Sequence, residues 1–152
     1  MTTIAWDGQF VAADSLQGGS DYDSPVPATK LIIRDQRVYA ICGYFAWFQA
    51  WIDWHENGAH PEKTPVCKLQ QPDTTFIVFE GGGCFTFDHH MPYADLSHPG
   101  EAFGSGRKFA MGAMAAGANA EQAVQVAVKL DPHSGGPVRV IDLHELQKGK
   151  AE

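Results

Sequence analysis

The sequence predicts an α+β fold, with antiparallel sheets carrying helices on their faces. Three observations predict it. Short β-rich runs pair across turn dipeptides within the first 43 residues. The pattern then changes to a helical period, returns to two strands, and goes on to two helices and a last strand. No internal repeat or shift of composition divides the chain. Its 152 residues are therefore expected to form a single domain, with a core over 2–143 and a polar tail over 144–152.

Residues 2–6 and 9–14 read as strands joined at Asp7-Gly8, a strong hairpin signal. Residues 15–27, rich in Gly, Ser, Asp and Pro, read as a loop. Apolar strands follow over 29–34 and 37–42, around Asp35-Gln36 and ending at Gly43. From 45 to 56 the period is helical, with Trp47, Trp51 and Trp54 on one face. That stripe reads as core packing. A subunit interface is the alternative, because tryptophan is enriched at interfaces.

Residues 57–73 hold three prolines and scattered charge and read as irregular. Strands are expected over 74–80 and 84–88, around Gly81-Gly82-Gly83. His89-His90 reads as an exposed strand end. Adjacent strand residues point to opposite faces, and no acidic or cysteine partner lies at ligand spacing. Residues 92–101 read as a loop leading into Ala102-Phe103-Gly104-Ser105-Gly106, followed by a helix over 107–116 that Gly117 ends. Asn119 then stands as the N-cap of another helix, with Gln122 in the capping-box position.

Ala120, Ala123, Val124, Ala127 and Val128 form the apolar stripe of that helix, and Asp131 continues it. A carboxylate there is doubly disfavoured. The macrodipole repels it at the helix C-terminus, and burial costs solvation. Asp131 therefore requires a partner. Residues 137–143 read as the last strand.

The net charge of −7, with no basic block, argues against a nucleic-acid partner. Three widely spaced cysteines, Cys42, Cys67 and Cys84, fit a reduced, cytoplasmic chain better than a disulfide framework. No charged-then-apolar leader and no span-length apolar run is present, so no membrane partner is expected.

Chemistry enters at the N-terminus. Methionine before a small residue is a substrate for methionine aminopeptidase, so the mature chain is expected to start at Thr2. That places a hydroxyl and a free α-amine on one residue. The amine titrates near about 8, so part of it is neutral and can take the hydroxyl proton. Such a threonine is an activated nucleophile, and its β-branch helps to aim the oxygen. If Met1 is retained, the nitrogen is locked in a peptide bond. Many proteins begin Met-Thr, so the dipeptide alone decides nothing.

Six stretches in order carry the case further: Thr2-Thr3-Ile4, Ala12-Ala13-Asp14-Ser15, Lys30, Ala40-Ile41-Cys42-Gly43, Gly104-Ser105-Gly106, and Asp131-Pro132-His133-Ser134-Gly135-Gly136. At this spacing the chain resembles the proteasome β-subunit family and its simpler bacterial ring-protease relatives, all N-terminal-nucleophile hydrolases. The resemblance spans residues 2 to about 143 and implies a four-layer αββα sandwich with Thr2 at one end of the cleft between the sheets. It implies Thr2 as nucleophile and general base, Lys30 beside it, Asp14 bonded to Lys30, and Ser105, Asp131 and Ser134 completing the network. The Gly43 N–H would serve the oxyanion. His133, inside the last signature, reads as a bystander.

The implied activity is acyl transfer on amide bonds through an acyl-enzyme, without metal or cofactor. The substrate would be a peptide or unfolded protein, and the chain would form a homo-oligomer, with a ring among the forms open to it; an ATPase partner is left open. Two alternatives stand beside it: an amidase acting on a small molecule, and a catalytically inactive ring or scaffold subunit. The sequence departs from the family pattern in two places. The loop before Gly43 is one residue shorter than in typical members. Only 30 residues separate Gly43 from the strand at Thr74, room for one short helix where typical members carry two long ones. A chain this short is reminiscent of bacterial or prophage-encoded relatives.

Overall fold

The computed structural model describes residues 2–17, 26–27, 29–43, 45–65, 74–88, 94–96 and 98–149. His89-His90 and Cys67 lie outside the described residues. The first half contains β1 (Thr3–Trp6), β2 (Phe10–Ala13), β3 (Leu16–Gln17), β4 (Val26–Pro27), β5 (Leu31–Arg34), β6 (Arg37–Cys42) and helix α1 (Phe48–Glu56). The second half contains β7 (Thr75–Glu80), β8 (Gly83–Phe87), β9 (Ala94–Leu96), β10 (Glu101–Gly104), α2 (Arg107–Ala115), α3 (Ala120–Leu130), β11 (Arg139–Asp142) and α4 (Leu143–Lys148).

Among the described residues the strands form two main antiparallel sheets, β10-β1-β2-β11 and β5-β6-β7-β8-β9, plus the small β3-β4 pair. Apolar residues alternate to both sides of each main sheet, which makes three cores. Ile4, Trp6, Val11 and Ala13 face Leu31, Val38, Ala40, Ile77 and Phe79 between the sheets. On the far side of the first sheet, Ala5, Ala12 and Ala102 meet Ala110, Ala120, Ala123, Val124 and Ala127 of α2 and α3. Small residues on both surfaces let these helices lie close. On the far side of the second sheet, Tyr39, Ile41, Phe76, Val78 and Phe87 meet Phe48, Trp51, Ile52 and Trp54. The layers therefore run helix, sheet, sheet, helix, as the resemblance implies.

Two of the three stripe tryptophans belong to the chain's own core. Trp51 stacks on Phe76, Trp54 meets Phe87 edge-on, and Trp54 Nε1–H donates to the His60 carbonyl at 2.9 Å. Trp47 is half-buried in the 3₁₀ turn Phe45–Trp47 that leads into α1. The β1–β2 turn forms as expected. Asp7 Oδ1 accepts the N–H groups of Gln9 (2.9 Å) and Phe10 (2.7 Å), an Asx-type turn. The other oxygen, Oδ2, accepts the Ala120 N–H at 2.9 Å, so the turn also caps α3. The Asn119–Gln122 capping box is complete.

Five stretches differ from expectation. Leu16–Gln17 and Val26–Pro27, expected within a loop, pair as β3 and β4, and Ala94–Leu96 joins β8. Glu101–Gly104, expected as loop and helix approach, is a strand paired along all of β1. Leu143–Lys148, expected as last strand and polar tail, is helical: Asp142 caps it by accepting from His144 and Glu145, and Leu143 and Leu146 cover the edge of the inter-sheet core. None of the described helices is long and apolar enough to cross a membrane.

Candidate active site

Six element ends meet at one end of the sandwich. β1 begins there after Thr2 and β2 ends just before Asp14, because Ile4 pairs with Ala13. β10 delivers Ser105, because Thr3 pairs with Gly104. In the facing sheet, Leu31 pairs with Ala40, which sets Lys30 and Gly43 at the same end. α3 stops at Asp131 on the same side.

Asp14 and Lys30 form a buried ion pair, 1% and 3% exposed, with Nζ 2.8 Å from Oδ1. Asp14 is well satisfied besides. The Thr3 N–H donates to Oδ1 at 2.9 Å, and the Gly135 N–H to Oδ2 at 3.1 Å. Burial lowers the pKa of Lys30 from its ordinary value, and the bond and charge of Asp14 only partly offset this. Cys42, behind Lys30, is pushed up to about 12 by burial despite the Lys30 charge. It is a thiol packed in the core, not a thiolate nucleophile.

Asp131 has hydrogen-bond donors on both carboxylate oxygens. Ser105 Oγ–H and Ser134 Oγ–H donate to its Oδ2 at 2.7 and 2.6 Å, and the His133 N–H donates to Oδ1 at 3.1 Å. Burial pushes its pKa up, but the bonds from Ser134, Ser105 and His133 outweigh burial and hold the carboxyl below its ordinary value. His133 contributes its backbone, and its side chain is exposed. A Ser134→Ala variant is expected to lose about 2 kcal/mol of stability. Asp131 has a lowered folded pKa, so the stability it supplies is present above 3.8 and is lost as pH falls through the folded value. Urea unfolding should therefore show the gap between wild type and Ser134→Ala closing in acid.

Thr2 itself is buried, 6% exposed, and its carbonyl lies 3.4 Å from Ser105 Oγ. Gly43 follows β6 with φ +107 and is exposed, leaving its N–H unshielded by a side chain. The Gly104-Ser105-Gly106 stretch is explained by close approach. A Cβ on Gly104 would lie 1.9 Å from the Thr2 carbonyl oxygen, and one on Gly106 2.0 Å from Thr3 Oγ1. The structure thus gathers Asp14, Lys30, Ser105, Asp131 and Ser134 around the first residues of β1, with Gly43 at the same end of the facing sheet. One participant escaped the sequence reading. Thr3, fully buried, bonds to Asp14 through its backbone and to Ser134 Oγ through its hydroxyl, at 2.6 Å. A hydroxyl on the inward side of an otherwise apolar strand was the available signal.

No family model matches the sequence, and no curated protein matches it. Solved structures do. Thiobacillus denitrificans BPH, both free and in complex with epoxomicin, superposes with a TM-score of 0.65 at 21% identity, covering 93% of this chain. The match covers 98% of the BPH chain in the complex and 97% of the free one. Eukaryotic HslV from Trypanosoma brucei gives 0.68 at 22% identity, over 93% of this chain and 98% of HslV. The chain has the fold of BPH and HslV. That fold is the one implied by the resemblance to the proteasome β-subunit family, and it supports the resemblance over nearly the whole chain.

Within that fold, a groove of about 640 Å³ opens at the other end of the strands, lined by residues of the β5–β6 and β7–β8 turns and of α4. It is crossed by the Arg37–Glu80 ion pair and contains none of the clustered residues. The candidate site is therefore the Thr2 end and not this groove.

Proposed function

We propose that this chain is a threonine-type peptidase or amidase of the proteasome β-subunit family, acting through Thr2 once Met1 is removed. The observation that carries the reading is the Asp14–Lys30 ion pair, buried at the start of the strand that bears Thr2. A cation beside the α-amine keeps that amine neutral and able to accept the Thr2 hydroxyl proton. Oγ1 then attacks the carbonyl carbon of the substrate, and the Gly43 N–H donates to the oxyanion. Collapse expels the amine with the transferred proton and leaves an ester on Thr2. Water, activated by the same α-amine, releases the acid. Asp131, Ser105 and Ser134 fix the charge and hydrogen bonds around the first residues. Peptide substrates, a homo-oligomeric ring and a cytoplasmic site of action belong to the same reading.

Epoxomicin is bound in the Thiobacillus BPH structure, which makes a peptide epoxyketone the natural probe. Intact mass should show loss of Met1 and, after incubation, one adduct per chain. Thr2→Ala should give no adduct. A Met1-free wild-type protein that stays unlabelled and cleaves no peptide would favour a scaffold subunit instead. A mass in solution equal to that of one chain would count against the ring.

A further inference from the structure

We infer that Thr3 is a positioning residue, whose hydroxyl proton holds Ser134 in the orientation that serves Asp131 and whose backbone fixes Asp14 at the same time. The inference rests on the functional reading above and deepens it.

Donor arithmetic gives the direction of the bonds. A carboxylate only accepts, so both serine hydrogens near Asp131 Oδ2 are spent on it, from Ser134 at 2.6 Å and Ser105 at 2.7 Å. The Ser134 oxygen, left as an acceptor, lies 2.6 Å from Thr3 Oγ1. Thr3 must therefore be the donor. Neither residue can turn to solvent instead, since Thr3 is 0% and Ser134 6% exposed. Gly106 removes the other freedom: the space a side chain there would take is filled by Thr3 Oγ1. The result is a one-way chain from Thr3 through Ser134 to Asp131.

The Thr3 main chain faces the other carboxylate. Its N–H donates to Asp14 Oδ1 at 2.9 Å, the oxygen that also takes Lys30 at 2.8 Å, and its carbonyl accepts the Asp14 N–H at 3.1 Å. One residue thus joins both charged clusters and is covalently the next residue to Thr2. A shift of Thr3 moves the nucleophile, the ion pair and Asp131 together.

The test compares Thr3→Ala with Thr3→Ser, which keeps the hydroxyl, and reads two quantities. NMR titration of the Asp131 carboxyl should move up in Thr3→Ala and stay at the wild-type midpoint in Thr3→Ser. The rate of labelling by a peptide epoxyketone should fall roughly 10²-fold in Thr3→Ala, as expected of misplaced reacting groups, and recover in Thr3→Ser. In a Ser134→Ala background, Thr3→Ala should add little further loss. An Asp131 midpoint that ignores Thr3→Ala, or a Thr3→Ser protein as slow as Thr3→Ala, overturns the inference. Failure of Met1-free wild type to label overturns the functional reading instead, and the titration then decides the Thr3 contact alone.

Discussion

Lys30→Met is expected to lower peptide cleavage by about 10³-fold, the scale for loss of a group that tunes proton transfer. The same change should cost about 3 kcal/mol of stability, because it leaves the Asp14 carboxylate buried without its cation. The two effects separate in a double variant. Asp14→Asn with Lys30→Met removes both charges and should regain most of the stability, since a buried pair contributes little net once desolvation is counted. It should regain none of the activity. Urea unfolding and peptide cleavage on the same preparations read both quantities. If the double variant recovers activity, Lys30 does not tune the amine. A pH series adds a signed check. Burial holds the folded pKa of Lys30 below 10.5, so the stability favoured by its neutral form is lost as pH falls from 10.5 through the folded value. Wild type should gain on Lys30→Met as pH is raised towards 10.5.

Gly104→Ala is the second large effect, expected to cost about 4 kcal/mol or to prevent folding. Two causes add. The backbone sits at φ +96, which a side chain rarely adopts, and the new Cβ would lie 1.9 Å from the Thr2 carbonyl oxygen. That oxygen belongs to the main chain leading directly into β1, so it cannot turn aside. Gly81→Ala is the control: φ is +60, nothing lies within 4 Å, and only conformational strain of about 1 kcal/mol applies. Thermal melts of the two variants should differ widely. If they melt together, the close approach of β10 to Thr2 is wrong.

Much of this was legible because the deciding signals are local. Asp7-Gly8 announces a turn, and Asn119 with Gln122 announces a helix start. Asp131 at the end of an apolar stripe announces a need for partners, and Ser105 and Ser134 supply them. The spacing of Asp14 and Lys30 from Thr2 acquired meaning through the family resemblance, and in the fold the two meet. What was not legible depends on distant pairing. Glu101–Gly104 is a strand because β1 runs beside it; four residues including alanine and glycine carry little strand propensity of their own. The two-residue pieces β3 and β4 are too short for any period to register. Helix α4 reads as strand and tail in the sequence although Asp142, Glu145, Leu143 and Leu146 stand at N-cap, first-turn and i, i+3 positions. The strand pattern just before it masked that start. The role of Thr3 is not legible locally because its partner Ser134 lies 131 positions away.

The double use of Asp7 turns the site into a pair of callipers. From that hinge, β1 runs five residues back to Thr2, about 17 Å at strand rise. From the same hinge, α3 and its cap run eleven steps to Asp131, about 16 Å at helical rise. The two legs are nearly equal, so their tips close on each other. One residue inserted in α3 would swing Asp131 through about 100° and push it out by about 1.5 Å, away from Ser105. The stretch between β6 and β7 belongs to neither leg. Length can change there without opening the tips.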